Sequence, residues 1–182
     1  MSTVAIQATP ITVEQYERFE GYPGLRDELI NGEIFLSPQP KPFHQQIAKN
    51  INRVLDAALQ GQVHMAQQGT NIRFADANSM PSPDVFVVTK KDWHLACESD
   101  SYLSTPPVLV VEVLSPANRK TRVKAKIKVY LSQNVTEVWL VHPKKKTVEV
   151  IREQQRTLTQ ERLSLPAPLS GSVETGSFFT LD

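Results

Sequence analysis

The sequence predicts an α/β protein folded as a single domain. Two patterns indicate this class: apolar residues recur at helical spacing from about residue 44 to 59, and the continuous apolar run Val108–Leu114 is typical of a central strand covered on both faces. The chain has 182 residues, with no internal repeat or interdomain linker. A chain of this length buries roughly 70% of the surface that its unfolded form exposes, so its core needs no disulfide or metal.

The composition narrows the class of protein further. The single cysteine, Cys97, cannot form an internal disulfide, and no segment resembles a signal peptide, so we expect a reducing, cytoplasmic environment. No apolar run approaches the roughly 20 residues of a membrane span. Because the formal net charge is only +1, nucleic acid would have to be bound by local basic clusters or bound cations.

The first elements are marked by capping and turn residues. Residues 1–11 carry no periodicity and are expected to fray, so the folded domain is expected to span residues 12–182. The segment Thr12–Gln15 has the spacing of a capping box, which predicts a short helix through Phe19. The pair Asn31-Gly32 separates two strand-like segments and predicts a β-hairpin.

A long amphipathic helix is predicted next, over about residues 44–59, because its apolar residues lie on one face. Three short segments after it are predicted as strands: 63–66, 72–74 and 84–88. Residues 89–106 are predicted to form a polar loop with a helical turn near Trp93.

The second half of the chain alternates strands and helices. The run Val108–Leu114 predicts the middle of the sheet, and a helix is predicted after it over about residues 117–131. Further strands are predicted at 136–141 and 147–152, and an edge strand at 158–165.

Two carboxylates stand at the ends of apolar strands. Asp84 follows Pro83 at the start of one strand, and Glu112 lies inside the central run. An acid in such a position is exposed to solvent, paired with a lysine, or bound to a metal. Two such acids with a backbone carbonyl and water would suit magnesium, which a phosphodiesterase uses to activate water and to neutralise charge on the scissile phosphate.

The predicted helix after Glu112 carries six basic residues: Arg119, Lys120, Arg122, Lys124, Lys126 and Lys128. At about 100° per residue, Lys126 lies on the flank of the apolar face beside Tyr130, whereas Lys124 and Lys128 point away. A lysine on that flank must run its aliphatic stem along the core. Lys126 is therefore the predicted catalytic cation, and the other two are expected to be solvated.

Several other site types require residues that the sequence lacks. The chain has no Gly-x-x-x-x-Gly-Lys phosphate loop, no Gly-x-Gly-x-x-Gly dinucleotide motif, no Gly-x-Ser-x-Gly elbow and no His-Glu-x-x-His zinc motif. Its four histidines lack metal-ligand spacing. No nucleotide cofactor is therefore expected.

The order of the candidate residues resembles that of a known family. Pro83-Asp84 is followed by Val111-Glu112-Val113-Leu114-Ser115-Pro116, then by Lys126 and Tyr130, and then by Glu137-Val138-Trp139-Leu140-Val141 and Pro143. The likeness extends upstream through residues 27–34 and His44-Gln45, and covers about residues 12–152. This pattern resembles the Uma-type family of bacterial restriction endonucleases, a branch of the PD-(D/E)xK nuclease superfamily.

The resemblance implies a restriction-endonuclease-like fold, in which a mixed β-sheet is flanked by helices. It implies a magnesium ion, for which manganese could substitute, held by Asp84, Glu112 and the carbonyl of Val113. The usual superfamily lysine would stand where this sequence has Leu114. In this branch the lysine is carried on the following helix, in the place that Lys126 occupies.

Two further residues are candidates for the border of that site. Glu28 matches an acid common in the family's first hairpin, and its alternative role is that of a structural partner to a basic residue. His44 lies on the inner face of its helix, where its alternative role is that of a hydrogen-bonded core histidine. The family often has an acid four residues before the helix lysine, and Arg122 stands there instead. That change either adds a phosphate contact or marks a weakened site.

Together these features predict a magnesium-dependent endonuclease that hydrolyses phosphodiester bonds in DNA, with Arg119 and Arg122 contacting the nucleic acid. A homodimer is expected from the family and from the need to cut two strands. One alternative is a catalytically inactive DNA-binding or assembly module that retains the fold. Another is an oligomerising structural protein in which the carboxylates form surface pairs.

Overall fold

The computed structural model describes residues 9–115, 120–153, 155–159 and 161–181. The segment 1–8, which belongs to the stretch expected to fray, and the predicted start of the helix near residue 117 lie outside these ranges. In chain order the elements are α1 (Val13–Glu17), β1 (Leu25–Ile30), β2 (Glu33–Pro38), α2 (Pro42–Ala58), β3 (His64–Gln67), β4 (Val85–Thr89), α3 (Lys90–Glu98), β5 (Leu109–Val113), α4 (Lys120–Ser132), β6 (Glu137–His142), β7 (Thr147–Arg152), β8 (Gln155–Thr159), β9 (Arg162–Ser164), β10 (Ser172–Glu174) and a 3₁₀ helix (Thr175–Phe179).

A six-stranded mixed sheet forms the centre of the molecule, in the order β3-β4-β5-β6-β7-β8. Strands β5 and β6 are parallel, and the other neighbours are antiparallel. A parallel pair needs a crossover connection, and α4 lies in the connection between β5 and β6. The predicted mixed sheet flanked by helices is confirmed, with β5 in its interior.

Each face of the sheet is covered by its own apolar cluster. One face packs against α2, β9, β10 and the 3₁₀ helix, with Val111 and Trp139 among its buried residues. The opposite face packs against α4 and includes Phe86, Val110 and Tyr130. Because side chains alternate along a strand, Val110 and Val111 leave opposite faces of β5. Phe86, Tyr130 and Trp139 are all fully buried.

The N-terminal elements match their predicted signals. Thr12 and Gln15 exchange side-chain to backbone hydrogen bonds at 2.9 and 3.2 Å, and the helix that they begin ends at Glu17, before the predicted Phe19. Strands β1 and β2 form the predicted hairpin, in which Ile30 pairs with Glu33. At its turn Asn31 and Gly32 have φ values of 51° and 79°. Two consecutive positive φ angles are typical of the tight turn that Asn-Gly favours.

In residues 89–106 the helical turn predicted near Trp93 is part of a longer helix, and the rest of the predicted loop follows it. Helix α3 spans nine residues, and the Thr89 side chain accepts a hydrogen bond from the Asp92 amide at 3.0 Å. Trp93 packs against Phe86, with ring centroids 6.1 Å apart. A capping threonine and one anchoring tryptophan are sufficient to order a segment that is otherwise polar.

The prediction of a strand at residues 72–74 is wrong. The amides of Ile72, Arg73 and Phe74 donate to the carbonyls of Pro81, Leu103 and Ser79, respectively. Two of these hydrogen bonds go to the segment 79–81 and the third to Leu103. Because Pro81 has no N–H to donate in return, the pairing with 79–81 does not extend into a ladder and only isolated bridges form.

The predicted edge strand at residues 158–165 is two strands. β8 pairs with β7 at the edge of the main sheet, whereas β9 pairs with β10 in a separate two-stranded sheet. Leu158 in β8 is largely exposed, whereas Leu163 and Leu165 in the second half of the segment are buried. None of the helices in the described parts of the chain is long and apolar enough to cross a membrane.

Candidate active site

The sheet brings the two predicted acids close together. Asp84 lies at a bend immediately before β4, and Glu112 lies on the neighbouring strand β5, where Val85 pairs with Val111. The Asp84 carboxylate accepts a hydrogen bond from the amide of Val113, the residue after Glu112. Glu112 alternates with Val111 and therefore projects toward α4, where its side chain is bound.

Asp84 is held in a fixed orientation by two donors. His44 Nε2 donates to Asp84 Oδ1 at 2.9 Å, and the Val113 amide donates to Oδ2 at 2.7 Å. The other ring nitrogen, His44 Nδ1, is buried and has no hydrogen-bond partner in the described parts of the chain. His44 therefore lies at the candidate site, bound to its carboxylate through one ring nitrogen.

Lys126 lies between two carboxylates. Its Nζ is 2.6 Å from Glu112 Oε1 and 2.7 Å from Glu28 Oε1, and it donates to the Ser82 carbonyl at 3.3 Å. The residue is 5% exposed, whereas Lys124 and Lys128 are exposed. The prediction that Lys126 alone of these three faces the core is confirmed.

Glu28 connects the first hairpin to helix α4. It accepts from the Ser82 amide at 2.7 Å, contacts Lys126 through the same oxygen, and pairs with Arg122 through the other. The Arg122 guanidinium also lies over the Phe35 ring, 5.8 Å from its centroid. Glu28 is thus both a partner of basic residues and a part of the site. Arg122 is inside the cluster, and Arg119 lies outside the described residues.

Burial and neighbouring charges shift the acidities of this cluster in different directions. Burial raises the pKa of the Glu112 carboxyl to about 7, opposed by Lys126 and reinforced by the charges of Asp84 and Glu28. Burial also acts to raise the pKa of Glu28, but Lys126 and Arg122 outweigh it and hold that pKa below its ordinary value. Burial acts to lower the pKa of Lys126, and the two glutamates outweigh it. The lysine therefore stays charged between its partners.

Tyr130 completes the contacts of Glu112. It lies four residues after Lys126 on α4, and its hydroxyl donates to Glu112 Oε1 at 2.7 Å. Burial, reinforced by the nearby carboxylates, raises the pKa of this hydroxyl well above its ordinary value. The hydroxyl therefore keeps its proton and acts as a donor to the carboxylate.

An open pocket of about 430 Å³ lies beside Asp84. Its lining includes Arg26, Asp27, Ser82 and several amide side chains. Arg26 Nη2 donates to Ser82 Oγ at 2.9 Å, and Arg26 Nη1 is 3.9 Å from Asp84 Oδ1. The pocket gives a ligand from solvent access to the acid at the edge of the buried cluster.

The donor set fits magnesium. Asp84 and its neighbour Glu112 supply carboxylate oxygens. The pairing of β4 with β5 ends at Val85 and Val111, so this ladder does not reach Val113 and does not take its carbonyl. Carboxylates, a carbonyl and water are the ligands that magnesium prefers. In the described ranges no three or more His, Cys, Asp or Glu side chains cluster as a metal cage, so water and substrate would complete the coordination.

Comparison with known proteins places the chain in a family. A family model described as "Uma2: Putative restriction endonuclease" matches residues 13–178. The chain belongs to the Uma2 family. No curated protein matches this Uma2 chain.

A solved structure shares the fold of this Uma2 protein. It is the crystal structure of a protein from Anabaena variabilis, titled as a "putative nuclease belonging to DUF820". The TM-score is 0.76 at 22% sequence identity, over 93% of this chain and 98% of that chain. The likeness shows that the Uma2 protein has a restriction-endonuclease-like fold, as the sequence resemblance implied.

Three residues of the site in this Uma2 protein were not predicted from the sequence as site residues. The helical pattern placed Tyr130 on the apolar face beside Lys126, and its position four residues after Lys126 puts both on one helix face. Arg26 stands two residues before Glu28, and period-two alternation puts both on one strand face. Ser82 carries no signal in the sequence, because its contacts depend on how the hairpin packs against β4.

Proposed function

We propose that this protein is a magnesium-dependent endonuclease that hydrolyses phosphodiester bonds in DNA. The observation that carries the proposal is the burial of charged Lys126 between Glu112 and Glu28, beside Asp84 at an open pocket. Burying several charges together costs desolvation energy that an apolar core would avoid. Such a cluster with shifted acidities at a cleft is typical of a catalytic site. Membership of the Uma2 family supports a nuclease.

The chain's own residues have separate roles in this proposal. Asp84, Glu112 and the Val113 carbonyl would hold magnesium, or manganese in its place, which would supply Lewis-acid polarisation and an activated water. His44 and the Val113 amide fix the Asp84 carboxylate in orientation. Lys126 opposes the rise that burial causes in the pKa of Glu112, and it is the cation placed to orient water or to stabilise charge that develops on the phosphate.

DNA is the proposed polymer substrate, with Arg119 and Arg122 as backbone contacts. Arg122 is paired with Glu28 and retains a partly exposed guanidinium, which could share its donors with a phosphate. The described residues form one candidate site, and two copies of it would allow both strands of a duplex to be cut in one binding event. A homodimer is the arrangement that we propose.

The test is cleavage of plasmid and duplex oligonucleotide DNA by the full chain with magnesium, with manganese, and with chelator. We expect cleavage with either metal and none with chelator. In a separate calorimetric titration, we expect magnesium to bind the protein with a measurable heat of binding. A single-stranded RNA of the same sequence separates DNA from RNA as substrate. DNA binding without cleavage in either metal would instead favour the inactive module, and neither binding nor cleavage would favour a structural protein.

A further inference from the structure

The pocket beside Asp84 contains a guanidinium to which the proposed mechanism gives no role. Arg26 lies on β1 two residues before Glu28, so the two side chains leave the same face of the strand. Burial increases along β1 from Leu25 to Ile30. Glu28 is therefore enclosed with Lys126, whereas Arg26 lines the open pocket.

The Arg26 guanidinium is held in place by a hydrogen bond to a hydroxyl and by a long ion pair with Asp84. Its Nη2 donates to Ser82 Oγ at 2.9 Å, which fixes one side of the group. Its Nη1 is 3.9 Å from Asp84 Oδ1, beyond hydrogen-bond distance, and both Asp84 oxygens already accept from other donors. A guanidinium carries five N–H donors. Most of the Arg26 donors therefore have no acceptor in the described parts of the chain.

The other cations of the site are balanced by direct partners. Lys126 contacts Glu112 and Glu28, and Arg122 pairs with Glu28. Among the described residues that line the pocket, Arg26 is the cationic side chain. The pocket's second acid, Asp27, accepts a hydrogen bond of 2.5 Å from the Tyr16 hydroxyl, which offsets part of its charge.

We infer that Arg26 binds a backbone phosphate of the substrate at the cleavage position. The inference rests on the proposed function, since it names the part of the DNA that this pocket takes. A guanidinium offers paired donors that match two phosphate oxygens, which an ammonium cannot reproduce. Because Arg26 Nη1 is 3.9 Å from Asp84 Oδ1, the guanidinium is within reach of a phosphate that lies beside Asp84 and Glu112.

The test uses Arg26→Gln and Arg26→Lys, each in full-length protein. Arg156→Gln is the matched control, because Arg156 lies on edge strand β8 and pairs with Glu149, away from the pocket. We expect Arg26→Gln to raise the KM for DNA about 10-fold or more, the scale of a charged hydrogen bond, with a smaller effect on kcat. Arg26→Lys should recover only part of the loss, and Arg156→Gln should match the unaltered protein.

A second measurement identifies the phosphate. Single uncharged methylphosphonates are placed at the cut position and at each flanking position, and DNA binding is measured in the uncut complex of Glu112→Gln protein. We expect the methylphosphonate at the cut position to weaken binding about 10-fold, and to have little effect once Arg26→Gln is added. A loss confined to a flanking position would contradict the assignment to the cleavage position. Equal losses at all positions would overturn this inference, and so would an unchanged KM for Arg26→Gln. In a protein that cuts DNA, either result leaves the proposed function standing. If the unaltered protein neither binds nor cuts DNA, the proposed function fails and the inference fails with it.

Discussion

Lys126 has three polar partners within 3.3 Å of its Nζ. Lys124 and Lys128, on the same helix, are exposed to solvent. If Lys126 serves the scissile phosphate, Lys126→Ala should lower turnover at saturating DNA by roughly 100-fold or more, the scale of one preorganised donor. Lys124→Ala and Lys128→Ala should be close to the unaltered protein, because both residues are exposed. Single-turnover rates for the three variants at several magnesium concentrations make the comparison. Equal rates would contradict the assignment and favour the inactive module.

The same substitution should lower stability. Removing Lys126 leaves Glu112 and Glu28 buried without their shared cation, and breaking a buried ion pair costs about 3 kcal/mol or more. Urea denaturation of Lys126→Ala against Lys124→Ala measures the difference. A loss of less than about 1 kcal/mol would show that the buried cluster reorganises or admits water when the lysine is removed.

Metal-dependent cleavage is predicted to require the negative charges of Asp84 and Glu112. Asp84→Asn and Glu112→Gln each remove an ionic metal ligand with little change of volume, so both should abolish metal-dependent cleavage with the fold intact. For Glu112 the fold should tolerate a neutral group well, because burial raises the pKa of this carboxyl to about 7. Glu149→Gln, on β7 beside Arg156, is the control. Cleavage at the unaltered rate by either variant would contradict the metal assignment, and circular dichroism checks the fold.

Individual residues differ in how far the sequence could predict them. Lys126 was predictable because helical phase depends only on residue number, and the packed side of α4 carries Tyr130 and Ile127. The contact of His44 with Asp84 joins a helix to a strand 40 residues away. Periodicity places His44 on an inner face but cannot say which acid that face meets.

At the level of elements, the β1-β2 hairpin positions both Glu28 and Arg26, and its turn depends on Gly32. A Cβ built at Gly32 would lie 2.5 Å from Pro10 Cβ and 3.1 Å from its Cα, and φ is +79°. Gly61 has nearly the same φ of +77°, with nothing within 4 Å. An alanine at either position therefore has the same backbone strain, and only the alanine at Gly32 also overlaps a neighbouring residue.

Gly32→Ala should destabilise the protein more than Gly61→Ala. Both alanines incur about 1–2 kcal/mol for a left-handed backbone, and Gly32→Ala adds overpacking of about 1–3 kcal/mol. Urea denaturation of the two variants gives the comparison. Equal losses would show that the segment at Pro10 moves aside freely and does not support the turn.

Elements with strong local signals were predicted well, and those that depend on distant partners were not. The hairpin follows from Asn31-Gly32 alone, and α2 from its apolar face. Helix α3 was predicted only as a single turn near Trp93, although Thr89 and Asp92 have capping spacing, because its residues are too polar to show an apolar face. The segment 72–74 has strand-like residues, yet its amides are divided between the segment 79–81 and Leu103. Its conformation is set by tertiary contacts that the local pattern does not contain.

At the scale of the whole molecule, a net charge of +1 leaves little general attraction for a polyanion. Any DNA affinity must then come from a few placed cations. Within the site, Glu28, Asp84 and Glu112 face Lys126 and Arg122, so the cluster itself offers no large positive field. Binding should consequently depend on a small number of ion pairs between these cations and DNA phosphates.

The dependence of DNA affinity on salt measures how many phosphates the protein neutralises. Removing one cation that binds a phosphate should reduce the magnitude of the slope of log affinity against log salt by about 0.9. Arg119→Ala and Arg122→Ala should each show such a reduction, while Arg156→Ala, on the far edge strand β8, should leave the slope unchanged. For Arg122 the result also reports whether its guanidinium, paired with Glu28, shares its donors with DNA. Binding measured by fluorescence anisotropy across a salt series supplies the slopes, and an unchanged slope in both variants would place the DNA surface elsewhere on the molecule.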